Sequence, residues 1–300
     1  MHTTPHPHIQ SFIDYLKFEK RYSRHTVISY QTDLTAFFDY LMITYGTIAL
    51  TDITHIYIRS WLATLKDEDN TAKTINRKIS SLRSFFKYQI KTGVLQQNPT
   101  AKVIAPKNEK RLPGFVADKD MDTLMRHMEF PDNWQGKTER LLLMLFYQTG
   151  MRLSEVINLQ EQQINFAGHT IKVLGKGNKE RVLPAGEELL SEIKAYIAAK
   201  NSFFGTPNHM VLLVNEKGKQ LYAKMVYTAV KKYLRLVTTI EKRSPHILRH
   251  TFATHLTNNG ADLNAVKELL GHSSLAATQV YTHNTIDKLK NIYMKAHPKA

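Results

Sequence analysis

The chain of 300 residues has no cysteine. That excludes disulfides, thiolate nucleophiles and cysteine-ligated zinc, and it suits a reducing compartment. Long apolar runs are missing as well. The strongest, Leu141 to Tyr147, is too short to span a bilayer, so no membrane association is expected. The first residues, Met1-His2-Thr3-Thr4-Pro5-His6-Pro7-His8, have no apolar core and predict a disordered tail rather than a signal peptide. Acidic residues are scarce: 26 stand against 41 lysines and arginines, a formal net charge of +15. Such an excess calls for a polyanionic partner, nucleic acid ahead of an anionic membrane surface. What remains is ordinary for a folded protein, with 42% hydrophobic and 22% charged residues and enough length for two domains.

Helical periodicity fills the first 95 residues or so. Ile9, Phe12, Ile13 and Leu16 share one face. Ser23 can cap a second helix from about His25 to Tyr45, Thr51 or Asp52 a third, and Thr71 a fourth. In the fourth, Ile75, Ile79, Leu82 and Phe86 form an apolar stripe flanked by Arg77, Lys78, Arg83 and Lys87. Those four cations suit DNA phosphates and equally suit a solvated helix face. Gly93 ends the helix. Asn98-Pro99 to Pro113-Gly114, with its prolines and charges, reads as a linker. The expected division is a helical domain over 1–97, a linker over 98–114 and a second domain over 115–300.

The second domain opens with helices near Asp118 to Met128 and Lys137 to Gln148. In Thr149-Gly150-Met151-Arg152-Leu153-Ser154-Glu155, either Ser154 caps the next helix or Arg152 lies in its first turn. Both readings put Arg152 at a helix start, where anions are favoured. Residues 162 to 184 switch to period two and predict a small antiparallel sheet, with Lys176 exposed at the tip of Gly175-Lys176-Gly177-Asn178-Lys179. Helices near Gly186 to Lys200 and Tyr222 to Val237 follow, with a strand at Val211 to Val214 between them. Ser244 and Pro245 open another helix, whose first turn carries His246 and Arg249 on one face, a place for a phosphate. His246 and His250 have a zinc-like spacing, but Arg249 between them repels a cation, so no metal is expected. Gly271 can end a helix and leave His272 in a turn, with Tyr281 nine residues on and a last helix from about Thr285 to Met294. A tyrosine near a phosphate pocket can be a nucleophile.

Taken in order, Thr149-Gly150-Met151-Arg152-Leu153-Ser154-Glu155, Gly175-Lys176-Gly177-Asn178-Lys179-Glu180-Arg181, His246-Ile247-Leu248-Arg249-His250, Leu270-Gly271-His272 and Tyr281-Thr282-His283 resemble the tyrosine site-specific recombinases, the family of phage integrases and Xer recombinases. The resemblance covers nearly the whole chain. It implies a mainly α fold with a small antiparallel sheet: an N-terminal helical, SAM-like core-binding bundle and a C-terminal α+β catalytic domain. The family's catalytic positions fall on Arg152, Lys176, His246, Arg249, His272 and the nucleophile Tyr281. The implied reaction cuts and rejoins DNA through a 3′-phosphotyrosyl bond, with no cofactor, metal or ATP. His246 is the candidate base and Lys176 the candidate acid, an assignment the sequence leaves open.

The closing Ala296-His297-Pro298-Lys299-Ala300 and the length resemble the Xer branch. That branch implies a cytoplasmic enzyme that resolves chromosome or plasmid dimers during chromosome partition. Its partners would be a double-stranded recombination site, a synaptic tetramer built with itself or a related recombinase, and a DNA translocase as activator. The two domains are expected to clamp the duplex. The segment from about Ile286 to Met294 docks either on a neighbouring protomer or on its own domain. Competing readings are a mobile-element integrase, a type IB topoisomerase and a catalytically silent DNA-binding protein.

Overall fold

Ser23, Thr54 and Thr71 each stand in extended backbone just before a helix and accept a hydrogen bond from an N–H of its first turn. These caps frame the first of two units, residues 1–111 and 112–300, in a computed structural model that describes residues 7–107, 114–175, 180–205, 211–271 and 283–298. Its helices are α1 (Pro7–Asp14, continued by a π-turn at Tyr15–Glu19), α2 (Arg24–Tyr45), α3 (His55–Asp67) and α4 (Ala72–Lys91). Thr51 and Asp52, expected as caps of the third helix, lie instead in a 3₁₀ turn, Leu50–Asp52. Ile53 then turns the chain extended, so Thr54 takes over the capping.

The expected stripes meet in one core. Phe12, Leu34, Phe37, Ile58, Trp61, Ile79, Leu82, Phe85 and Phe86 are all buried within it. The Phe37 and Trp61 rings lie 5.1 Å apart. Truncating a ring such as Phe37 to alanine costs about 3–5 kcal/mol in a packed core. The first part of the expected linker lies along this unit. Arg59 donates to the Lys102 carbonyl at 2.8 Å, Asn76 to that of Pro106 at 2.9 Å and Arg83 to that of Val103 at 3.0 Å, while Val103 itself is buried.

The second unit is built around α6 (Trp134–Thr149), preceded by α5 (Asp118–Asp122) and a π-turn at Thr123–His127. Leu141 to Thr149 is buried on every side. The chain's strongest apolar run is therefore a central core helix, as its all-round hydrophobicity requires. Next come α7 (Leu153–Ile157) and an antiparallel sheet in the order β1 (Ile164–Asn165), β2 (Thr170–Leu174), β3 (Glu180–Pro184). Its register pairs Ile171 with Leu183 and Val173 with Arg181. Helices α8 (Glu187–Phe204), α9 (Ala223–Val237), α10 (Pro245–Asn258), α11 (Leu263–Leu270) and α12 (His283–Ala296) complete the unit. Helices α8, α9 and α10 pack on α6. The chain thus has the mainly helical architecture with a small antiparallel sheet that its periodicity predicts.

Val211 to Val214 departs from expectation. It makes only isolated bridges, Gln160 with Val211 and Val214 with Gln220. Side chains take the place of a ladder there: Lys200 donates to the Val211 carbonyl at 2.8 Å and Trp134 to that of Val214 at 3.0 Å. Helix α12 packs on β3, α10 and α11 of its own unit, burying Leu289, Tyr293 and Ala296. His297 stacks on Tyr293 at 5.0 Å between centroids, and its Nε2 lies 3.2 Å from the Tyr147 carbonyl oxygen. Among the described residues, no helix is long and apolar enough to cross a membrane.

Candidate active site

The turn between α6 and α7 places the first arginine. Gly150 ends α6 in the left-handed region, φ 60°, and a Cβ there would sit 2.4 Å from the Phe252 ring. Only glycine fits both the backbone and the close approach. Arg152 follows as the N-cap of α7, and Ser154 lies inside the helix rather than ahead of it. The cap is closed by Glu155, whose Oε2 accepts from the Arg152 backbone N–H at 2.7 Å. Oε1 accepts from Arg152 Nη1 at 2.9 Å. Arg152 Nη2 reaches the Gly271 carbonyl at 2.9 Å.

The second arginine comes from α10. Ser244 is its N-cap residue and Pro245 its first helical residue, as the sequence predicts, though the Ser244 side chain makes no capping bond. Arg249, one turn in, is buried at 8% exposure. Its guanidinium donates to the Gly150 and Leu270 carbonyls. Burial, and then the positive charges of Arg152 and Arg181, bring its pKa down to about 10. It remains a cation at neutrality. His246 sits three residues earlier on the same helix and is exposed to solvent.

Below them lies a residue to which the sequence reading gave no role. Arg181 of β3 is 4% exposed. Its fork meets Glu155 with Nη1 to Oε1 at 2.7 Å and Nη2 to Oε2 at 2.8 Å, and its Nε donates to the Leu269 carbonyl at 2.9 Å. Burial alone would raise the Glu155 pKa, but Arg181 and then Arg152 hold it at about 2. The signal for Arg181 was present in the sequence: it alternates with Leu183 on the inward face of a strand. Three guanidiniums therefore converge on the last three carbonyls of the α11 turn, Leu269, Leu270 and Gly271. Among the described residues those carbonyls, at the negative end of the helix, have no other hydrogen-bond donor.

The structure thus brings together Arg152 and Arg249, with His246 on the same helix as the latter. Lys176, His272 and Tyr281 lie outside the described residues. Gly271, the residue before His272, is the left-handed cap of α11 at φ 62°. A Cβ added there would lie 3.1 Å from Arg181 Cδ. Among the described residues, no three His, Asp or Glu side chains gather in the manner of a metal site.

Of the four cations expected to face DNA on α4, Arg77, Arg83 and Lys87 are exposed. Lys78 turns inward, buried at 9%, with its ammonium 3.5 Å from Asp33 and 5.3 Å from the Trp61 ring centroid. Arg77 also pairs with Asp33. It lines a hollow of about 380 Å³ with His25, Thr26, Ser29, Tyr30, Ser80 and Ser81. The α2 residues of that hollow were not singled out from the sequence, because only the folded bundle sets them beside α4.

The chain belongs to the phage integrase family. Residues 115–288 match the phage integrase family model and residues 9–93 that of the phage integrase N-terminal SAM-like domain. It is similar to the curated tyrosine recombinase XerC of Oceanobacillus iheyensis, 37% identical over 98% of this chain and 96% of that one. It is also similar to XerC of Chlorobaculum parvum, 34% identical over 97% and 94%. Among solved structures, its fold matches the XerH site-specific recombinase bound to a palindromic difH substrate, with a TM-score of 0.73 and 22% identity over 94% of this chain and 82% of that one. The Tn1549 transposon integrase in complex with circular intermediate DNA matches with a TM-score of 0.71 and 18% identity over 94% and 98%. The chain is a tyrosine recombinase, an enzyme that binds a DNA site and cuts and rejoins it.

Proposed function

We propose that the chain carries out site-specific recombination in the manner of the Xer branch, with Arg152, Lys176, His246, Arg249, His272 and Tyr281 as its catalytic set. The Tyr281 hydroxyl attacks the scissile phosphorus, a phosphotyrosyl bond forms to the 3′ side, and the bond to the 5′ oxygen breaks. The tyrosine proton passes to a base, for which His246 stands, and the leaving 5′ oxygen takes one from an acid, for which Lys176 stands. A second strand's 5′ hydroxyl reverses the step. Arg152 and Arg249 neutralise the charge gathering on the non-bridging oxygens, the work that magnesium performs in many phosphoryl transfers. The observation that carries this reading is the convergence of Arg152 and Arg249 on the carbonyls immediately before His272. Each guanidinium has five donors and uses only some of them on protein carbonyls and Glu155, so N–H groups remain for phosphate.

Arg77, Arg83 and Lys87, beside the hollow between α2 and α4, supply phosphate contacts from the first unit. We assign the role of resolving chromosome or plasmid dimers in the cytoplasm, with a tetramer of this chain alone or with a related recombinase as the working assembly. A DNA translocase would serve as its activator. Exchange of α12 between protomers would have to release Leu289, Tyr293 and Ala296 from the core they now occupy.

The test is a nicked suicide duplex carrying a candidate chromosomal site, incubated in EDTA. A covalent protein–DNA adduct that vanishes in Tyr281→Phe is the expected result. DNA binding with no adduct on any such site, even with the translocase supplied, would contradict the reading.

A further inference from the structure

Arg181 is not among the catalytic positions, yet it touches what holds them. One arm of its guanidinium clasps both oxygens of Glu155, which in turn fixes the backbone and the side chain of Arg152. The other arm, Nε, takes the Leu269 carbonyl at 2.9 Å. That carbonyl is the first of three in a row, the next two being held by Arg249 and Arg152. Strand β3, which carries Arg181, begins at Glu180, four residues after Lys176 in the sequence.

Stability alone does not account for this residue. A buried ion pair is commonly no more stabilising than apolar side chains of the same volume, because desolvating two charges offsets their attraction. What apolar residues, or a lysine, would lack is a rigid plane of donors set at fixed angles, able to satisfy a carboxylate and a carbonyl together.

We propose that Arg181 is a positioning residue for strand cleavage. It locks Glu155 and the C-terminal turn of α11 in one frame, so that Arg152 and Arg249 meet the scissile phosphate already oriented. The inference rests on the recombinase reading above. It also accounts for Gly271: a side chain there would press on the Arg181 stem that the frame is built around.

The experiment compares wild type, Arg181→Met and Arg181→Lys in single-turnover adduct formation at saturating DNA. Two nicked duplexes are used, one with a normal scissile phosphate and one with a neutral methylphosphonate in its place. On phosphate, Arg181→Met is expected to lose on the order of a hundredfold in rate and Arg181→Lys at least about tenfold, with DNA affinity changed less than about threefold. On methylphosphonate the gap to wild type narrows, because an uncharged centre asks less of the guanidiniums that Arg181 orients. A merely structural role would give equal losses on both duplexes, and that result overturns the proposal, as do wild-type rates in the variants. Arg181→Lys keeps the charge and the stem, so it carries the test if Arg181→Met does not fold. A wild-type chain that forms no adduct would sink the recombinase reading and this inference with it. Wild-type cleavage with unaffected variants would sink this inference alone.

Discussion

Each unit buries a carboxylate between two cations, Asp33 in the first and Glu155 in the second, and the two arrangements do different things. In the first unit Asp33 of α2 is fully enclosed. It gathers Arg77 and Lys78 of α4, and it accepts from Ser81 Oγ at 2.8 Å. All of its partners come from one neighbouring helix, and its Oδ1 accepts no hydrogen bond among the described residues, with only the Lys78 ammonium near it. In the second unit Glu155 joins α7 to β3 and, through Arg181 and Arg152, to the end of α11. Both of its oxygens are fully engaged. Asp33 pins two helices together. Glu155 fixes the direction of a guanidinium that still faces solvent, Arg152 being 30% exposed at its side chain. The same pairing of charges makes architecture in one place and a reaction site in the other, according to what its cations have left to offer.

The sharpest way to break this comparison is to alter one cation from each cluster. Arg152→Lys removes a planar fork from the second cluster, and single-turnover cleavage at saturating DNA should fall by about 10² to 10³. Arg77→Lys, measured in the same assay, should change the cleavage rate less than about threefold. A comparable loss in both would erase the distinction.

Acid titration gives the next largest effect. The Glu155 pKa is held at about 2, below its ordinary 4.5. Its contribution is therefore fully present above about pH 4.5 and is lost as the pH falls toward 2. The shift corresponds to roughly 3 kcal/mol. Glu155→Gln should remove that acid-sensitive part of the unfolding curve and lower stability at neutral pH by about 3–5 kcal/mol, since it leaves Arg181 buried beside a neutral amide. Unfolding midpoints measured from pH 2 to 7 would show whether the pH dependence persists in the variant, which would contradict the assignment. Asp33→Asn should cost less, about 1–3 kcal/mol, and leave cleavage by bound enzyme unchanged.

The smallest effect concerns binding. The logarithm of affinity should fall linearly with the logarithm of salt concentration, with a slope of about 0.9 per phosphate contacted. Arg77→Ala should reduce that slope by about one. An unchanged slope would remove Arg77 from the DNA face and leave it with Asp33 alone.

Much of this molecule was legible because its signals are local. Ser23, Thr71, Pro245 and Gly271 mark helix ends by their own chemistry, and the stripes of α2 and α4 name their buried faces. Thr54 was missed as a cap because Thr51 and Asp52 offer the same chemistry three and two residues earlier, and only the extended Ile53 decides between them. Lys78 read as a surface cation because its partner, Asp33, lies far back in the chain. Val211 to Val214 read as a strand because nothing local reveals that Lys200 and Trp134 take its carbonyls. In the active site, family order named the residues expected to touch phosphate. The frame beneath them, Glu155 with Arg181, depends on contacts between α7, β3 and α11 that no single motif contains.

The measurement that bears most directly on the central claim pairs Glu155→Gln with Asp33→Asn. Single-turnover adduct formation would be followed at saturating DNA and at a temperature where both variants are folded. The account predicts that Glu155→Gln loses on the order of a hundredfold or more while Asp33→Asn cleaves at the wild-type rate. Equal losses in the two variants, or none in Glu155→Gln, would show that Glu155 does no more than hold the fold together.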